Sequence, residues 1–318
     1  MMMRLSIHLT VLLSLIGCDD FSSDSMKKKE LAISTFTSEV NSNLVYVEGG
    51  TFQMGDFGVE HYKEHLPLDA NSDSKPLHYV ELDGFSISKY KTTNKEFQYF
   101  LKENGLPITK TKNTIIQRDW DGLNKIKNMP AHADWYEAEK YCTWLSNITH
   151  LPYSLATEAQ WEYAARSQGQ YRVVGTDDGT WKVGSDGRGI NIATTRDRKE
   201  WAKMNNLSFG SLTTMPVNRY PPNPLGLFDM SGNGSEWVKD WYDPKYYSHS
   251  PVKNPQGPEN PTYKNYNGKY AKVVRNIDLS NPGKGITVSR SNESPDNNGD
   301  LPMSFTFRCV VNSPSPVQ

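Results

Sequence analysis

The sequence predicts an α+β domain with little regular secondary structure, and three kinds of observation lead there. Short runs alternate apolar and polar residues, as strands do. Three short apolar stripes at helical spacing each follow a capping residue. Long stretches rich in Gly, Asp, Asn and Thr separate them, with Gly169 to Pro224 the longest. Such a stretch is unusual unless its loops are cross-linked or ion-bound.

Taken in order, residues 1–17 read as an export signal. Arg4 supplies positive charge, and the apolar run Leu5 to Ile16 is too short to span a bilayer. It ends at Leu15-Ile16-Gly17-Cys18, which resembles the bacterial lipobox, so Cys18 is the expected lipidation site; the alternative is an ordinary signal peptide with a chance cysteine. Acyl chains on one cysteine would tether the protein rather than embed it. Asp19 resembles the signal that retains enteric lipoproteins in the inner membrane. The expectation is a lipid-anchored protein facing the periplasm, on the inner membrane rather than the outer. Residues 18–42 are polar and charged and read as a flexible tether. The domain is expected over 43–313, and 314–318 as a disordered tail.

Within the domain, Val45-Tyr46-Val47 reads as a strand entering the Gly49-Gly50 turn, with Phe52 and Met54 on one face beyond it. His78 to Ile87 alternates and reads as a strand or hairpin. Thr93 and Glu96 form a capping-box pattern ahead of Phe97, Phe100 and Leu101, and Gly105 is placed to end that helix. Asp134 and Glu137 repeat the cap, and Ala138, Tyr141, Cys142 and Leu145 then mark a buried helical face. Thr157 and Gln160 cap a third helix that buries Trp161, Ala164 and Ala165.

Composition excludes some classes of function. The formal charge is -1, or -2 once Arg4 leaves with the signal, so no basic face and no nucleic-acid partner are expected. Cys142 and Cys309 remain beyond Cys18. An even pair in an oxidising compartment suggests one disulfide, the alternative being two buried free thiols.

Several blocks, in order, carry a family signature. They are Val47-Glu48-Gly49-Gly50-Thr51-Phe52-Gln53-Met54-Gly55, Lys89 to Phe97, Tyr141 to Leu145, and Leu155 to Arg166. Asn223, Gly226 to Asn233, Glu236-Trp237, Asp240-Trp241-Tyr242 and Phe307 to Val310 follow. Together they resemble the formylglycine-generating enzyme, or sulfatase-modifying factor, family over nearly all of Val45 to Val311. The resemblance implies a C-type-lectin-like fold and a disulfide between Cys142 and Cys309.

That family's enzyme holds copper(I) between two cysteines and oxidises a substrate cysteine to formylglycine. Soft thiolates select copper(I), and other side chains do not substitute readily. Anchoring on Arg290 and Pro295-Asp296 places the pair near Pro282 and Thr287, and no cysteine lies between 143 and 308. No copper and no catalytic residue are therefore expected. The family's Arg-Gly-Gly-Ser-Trp block is here Arg275-Asn276-Ile277-Asp278-Leu279. The resemblance places calcium oxygens at Asn233, Gly234 and Glu236, although Gly234-Ser235 replaces the family's Val-Trp. The family's other calcium site, in the region of Asn191 to Phe209, is not recognisable. His61-Tyr62-Lys63-Glu64-His65 matches a zinc-peptidase pattern, but Pro67 follows at once, and it reads as a solvated loop segment. Neither Asp19-Asp20 nor Asp177-Asp178 reads as an acid/base dyad.

The expected function is a non-catalytic, membrane-anchored binding lipoprotein that recognises a protein partner. The resemblance offers a concrete form, an immunity or accessory protein of type VI secretion binding a secreted lipase-type effector. Tyr171, Trp181, Trp201, Tyr263 and Tyr266 lie in or beside the loops Gly169 to Pro224 and Asn254 to Asn267 and are candidate contacts. Ordinary core packing is the alternative for each. The competing functions are a metal-dependent periplasmic oxidoreductase of the siderophore-maturation type and a calcium-dependent glycan binder.

Overall fold

A computed structural model describes residues 19–276, 285–296 and 300–317. Residues 1–17 and Cys18 lie outside the described residues, as do Pro282 and Gln318. Ten short strands and seven α-helices are found among the described residues, in an α+β arrangement.

Three sheets organise the chain. In the first, β1 (Leu44–Val47) pairs with β4 (Phe85–Ser88), β4 with β10 (Cys309–Val311), and β10 with β5 (Tyr153–Leu155). The first and last strands of the domain thus share one sheet. In the second, β2 (Gly50–Met54) pairs with β3 (His78–Leu82). The third runs β8 (Arg290–Glu293), β7 (Lys272–Arg275), β6 (Ser235–Trp241), β9 (Phe305–Phe307). The alternation at 78–87 therefore belongs to two strands in different sheets, not to a hairpin. Gly49 permits this crossing, since a Cβ there would lie 2.5 Å from the Leu82 carbonyl oxygen.

The expected helices form where their caps stand. Helix α3 (Asn94–Glu103) and α5 (Trp135–Thr149) carry the full capping boxes of Thr93/Glu96 and Asp134/Glu137. Helix α6 (Glu158–Ala165) does so with Thr157/Gln160, and every one of its eight residues is buried. A reciprocal cap satisfies two helix-end N–H donors and fixes where each helix begins. Three further helices had not been read from the sequence. They are α2 (Gly58–His61), α4 (Thr114–Lys125) and α7 (Thr195–Met204), the last inside the supposed long loop and capped by Thr194/Asp197.

Both expected ends need correction. Residues 18–42 are not a flexible tether throughout, because α1 (Asp19–Ser42) is a continuous helix. Ile33, Phe36, Thr37 and Val40 stand at i, i+3, i+4 and i+7, and all four are buried or half-buried. Phe36 stacks on Tyr99 with centroids 4.3 Å apart and leans on Trp144. Residues 314–317 of the expected tail are likewise held, since the Tyr46 hydroxyl donates to the Pro314 carbonyl at 2.6 Å and Val317 packs on the core.

Two apolar clusters flank the sheets. One joins β2, β3 and α6 to Met230, Val238 and Tyr247. The other joins α1, α3 and α5 to Trp237, Phe307 and Val311. Cys142 of α5 and Cys309 of β10 are fully buried in the second and joined by a disulfide, with Cα atoms 5.7 Å apart.

Candidate functional site

The face of α6 turned to the third sheet is ionic. Glu158, Glu162 and Arg166 recur every fourth residue on this buried helix, so they stack along one side. Arg290 reaches both Glu158 oxygens at 2.8 and 2.7 Å. Arg275 bridges Glu158 at 2.8 Å and Glu162 at 3.0 Å, and Arg166 takes the remaining Glu162 oxygen at 2.8 Å. Burial pushes the Glu158 carboxyl up, but Arg290 and Arg275 outweigh it and hold its pKa below the usual value. Asp240, whose Oδ2 accepts the Glu158 N–H, meets no such cation and is pushed up to about 7 by burial and the Glu158 charge.

This network borders the position expected for the copper pair. Thr287 donates its hydroxyl to the Arg172 carbonyl at 2.6 Å, and its own carbonyl accepts from Arg275. A hydrogen-bonded hydroxyl therefore occupies one of the two places; Pro282 holds the other in sequence. Both cysteines among the described residues are spent in the disulfide.

The family model for the sulfatase-modifying factor enzyme 1-like domain matches residues 30–313. The chain belongs to this family. Its match begins within α1, in agreement with the packing of Phe36 and Val40. Over 257 residues the protein is 30% identical to formylglycine-generating enzyme of Streptomyces coelicolor, covering 67% of this chain and 74% of that one. It is 25% identical over 238 residues to inactive C-alpha-formylglycine-generating enzyme 2 of Bos taurus, covering 63% and 71%. It is 27% identical over 285 residues to serine/threonine-protein kinase pkn1 of Chlamydia pneumoniae, covering 85% of this chain but spanning only 38% of that relative. Among solved structures, PvdO from Pseudomonas aeruginosa superposes with a TM-score of 0.60 at 23% identity, over 85% of this chain and 94% of that one. That likeness establishes the fold.

The expected calcium turn is already filled by the chain's own cations. The Lys91 ammonium donates to the Gly234 carbonyl at 3.0 Å and to Glu236 Oε1 at 2.7 Å. Arg308 donates to both Glu236 oxygens, at 2.7 and 3.0 Å. The Asn233 side chain is turned onto Met215, accepting from its N–H at 2.7 Å and donating to its carbonyl at 2.9 Å. Calcium needs several oxygens free to converge. Here Glu236 is ion-paired with Lys91 and Arg308 and the Asn233 amide is engaged by Met215, so Asn233, Gly234 and Glu236, the residues expected at a calcium turn, stand in a buried ion-pair cluster. Gly234 remains essential to the turn, with φ at +98° and a notional Cβ 2.8 Å from Thr306 Cγ2.

The histidines of the His-x-x-Glu-His segment are engaged by their neighbours. His61 ends α2, shares a hydrogen bond with Gln53 and stacks on Tyr171, while His65 bonds the Val59 carbonyl. No cluster of three His, Cys, Asp or Glu groups suited to a metal exists among the described residues.

The five candidate contact aromatics do not form one patch. Tyr171 is bound to Gln53, and Tyr263 packs on Tyr242 against the core. Trp201 packs beside Leu207 under Arg219. Trp181 and Tyr266 project to solvent, Tyr266 at 90% exposure. Among the described residues no two of the five are in ring contact.

Sequence reasoning missed an open cleft of about 360 Å³ where α5 meets β5, β6 and β7. Trp135 of α5 and Trp241 of β6 flank it, with centroids 6.4 Å apart. The Lys272 ammonium of β7 lies 3.8 Å from each ring centroid. The α6 charge pattern could have been read from the four-residue spacing. No local signal announces the cleft, because its walls come from four separate elements and the segment 256–259.

Proposed function

We propose that this protein is a non-catalytic binding member of its family, exported and held at the membrane through Cys18, with its domain facing the periplasm. One observation carries the reading. The chain has three cysteines, and two of them are joined inside the core, so no more than one thiol remains. A two-thiolate copper(I) site needs a pair. Thr287 and Pro282, where the pair is expected, supply a hydroxyl and a ring.

The relatives include a protein named inactive as well as one named as an enzyme, so the scaffold is compatible with either use. The finer reading is recognition of a protein partner, with a secreted effector of type VI secretion as the concrete case. What supports recognition is a rigid ionic core beneath long loops that present Trp181 and Tyr266 to solvent. Purified protein incubated with a sulfatase-type cysteine peptide, oxygen and copper(I) is expected to yield no aldehyde and consume no oxygen. Aldehyde formation at any stoichiometry above one per chain would end the reading. Radiolabelled palmitate incorporation that is lost in Cys18→Ser checks the anchor, and co-purification from the native envelope tests the partner.

A further inference from the structure

Five buried cations among the described residues are ion-paired with glutamates, and Lys272 at the cleft is not. Lys91, Arg166, Arg275, Arg290 and Arg308 each contact a glutamate within 3.0 Å. Lys272 is 3% exposed, yet no carboxylate stands within ion-pair distance of it among the described residues. Its one hydrogen-bond acceptor is the Lys239 carbonyl, at 2.9 Å. Two tryptophan faces supply the rest of its surroundings. Burial lowers its pKa to about 8, partly offset by the more distant charges of Asp240 and Glu139. An ammonium has three donors, only one of which is hydrogen-bonded here among the described residues, and Lys272 lines a space large enough for a ligand.

The lining narrows the ligand's chemistry. Trp135, Trp241, Leu155 and Pro258 provide apolar surface, whereas Glu139 and Glu259 are exposed carboxylates that disfavour a polyanion. The complement is a single carboxylate on an apolar body. The cleft also continues. Ser154 and Gln256 line it together with a second cleft of about 350 Å³, where Gln160, Asn254 and Asn312 add hydrogen-bonding side chains. Ser154 belongs to β5, the outermost strand of its sheet, beside which an extended chain can lie.

We propose that the paired clefts bind the C-terminal end of a peptide, its carboxylate on Lys272, its last side chain against Trp135 and Trp241, and its backbone running past Ser154 toward Asn254 and Asn312. This inference rests on the binding reading above and names the ligand class for it. Thr287 and the neighbouring ionic network contribute nothing to this lining, so the cleft is separate from the expected oxidase position.

The test is calorimetric titration of the purified protein with acetyl-Ala-Ala-Phe, its C-terminal amide and glucuronate, followed in parallel by tryptophan fluorescence. The free acid is expected to bind saturably and the amide at least about tenfold more weakly, the scale of one charge-assisted hydrogen bond. Lys272→Met keeps the aliphatic stem between the rings and is expected to erase that preference. Should Lys272→Met not fold, the acid-to-amide ratio on the native protein decides alone. No saturation by the free acid up to about 10 mM, equal binding of acid and amide, or glucuronate binding in place of the peptide overturns the proposal. Such a failure leaves the non-catalytic reading intact. Aldehyde formation would sink that reading without touching the titration.

Discussion

At the scale of single residues, the buried charges decide most. Glu236 is wholly buried between Lys91 and Arg308. Replacing it by Gln leaves two cations facing one neutral amide, so Glu236→Gln is expected to cost about 3–5 kcal/mol in urea unfolding, as breaking one side of a buried pair does. The same group makes stability depend on pH. Burial raises its pKa, but Arg308 and Lys91 prevail and draw it down to about 2. A depressed carboxyl contributes stability that is complete above its unfolded pKa, near 4.5, and is lost as pH falls toward 2. Over that window the loss should be on the order of 3 kcal/mol, and Glu236→Gln should abolish this share of the slope. Asp240 has the opposite sign. Its pKa, raised to about 7, penalises the folded state as pH climbs from the ordinary aspartate range through 7. Asp240→Asn keeps an oxygen to accept the Glu158 N–H and removes the buried charge. Its midpoint urea concentration is expected to exceed that of the parent at pH 8 and to match it near pH 4.

At the scale of elements, what could be read in advance was what is local. The Thr93, Asp134 and Thr157 boxes sit within four residues of the donors they satisfy, so three helix starts were visible in the sequence. The face Ala138, Tyr141, Cys142, Leu145 was visible for the same reason. The docking of α1 was not, because Phe36 finds Tyr99 and Trp144 far along the chain. The ion cluster at the expected calcium turn escaped likewise, as Lys91 and Glu236 stand 145 residues apart. The cleft depends on Trp135, Trp241 and Lys272 converging from three elements, and no spacing rule records that. The corrected status of α1 makes its own prediction. Phe36→Ala should lower stability by about 2–4 kcal/mol through lost packing, whereas Leu31→Ala, at 68% exposure, should stay within about 0.5 kcal/mol. Equal effects in thermal melts would mean that the helix does not pack as described.

At the scale of the molecule, one covalent link ties distant parts of the chain. Cys142 and Cys309 are 167 residues apart, and they join α5 to the last strand of the sheet that also contains β1. Cross-linking so long a loop stabilises the fold by about 5 kcal/mol in the chain-entropy model, an upper figure where the unfolded chain retains structure. Both cysteines are wholly buried, in one cluster with Tyr141, Leu145, Leu155 and Phe307. A reductant can therefore attack only when α5 and the first sheet separate, which is an opening of the core rather than a local fluctuation. In a Cys18→Ser form, which retains only this pair of cysteines, dithiothreitol in native buffer should release thiols no faster than the protein unfolds. Adding urea should accelerate thiol release and loss of tryptophan signal together, with one shared midpoint. If thiols appeared early, while the fluorescence remained native, the contact between α5 and β10 would be a separately opening unit. The disulfide would then brace an edge of the domain and not its centre.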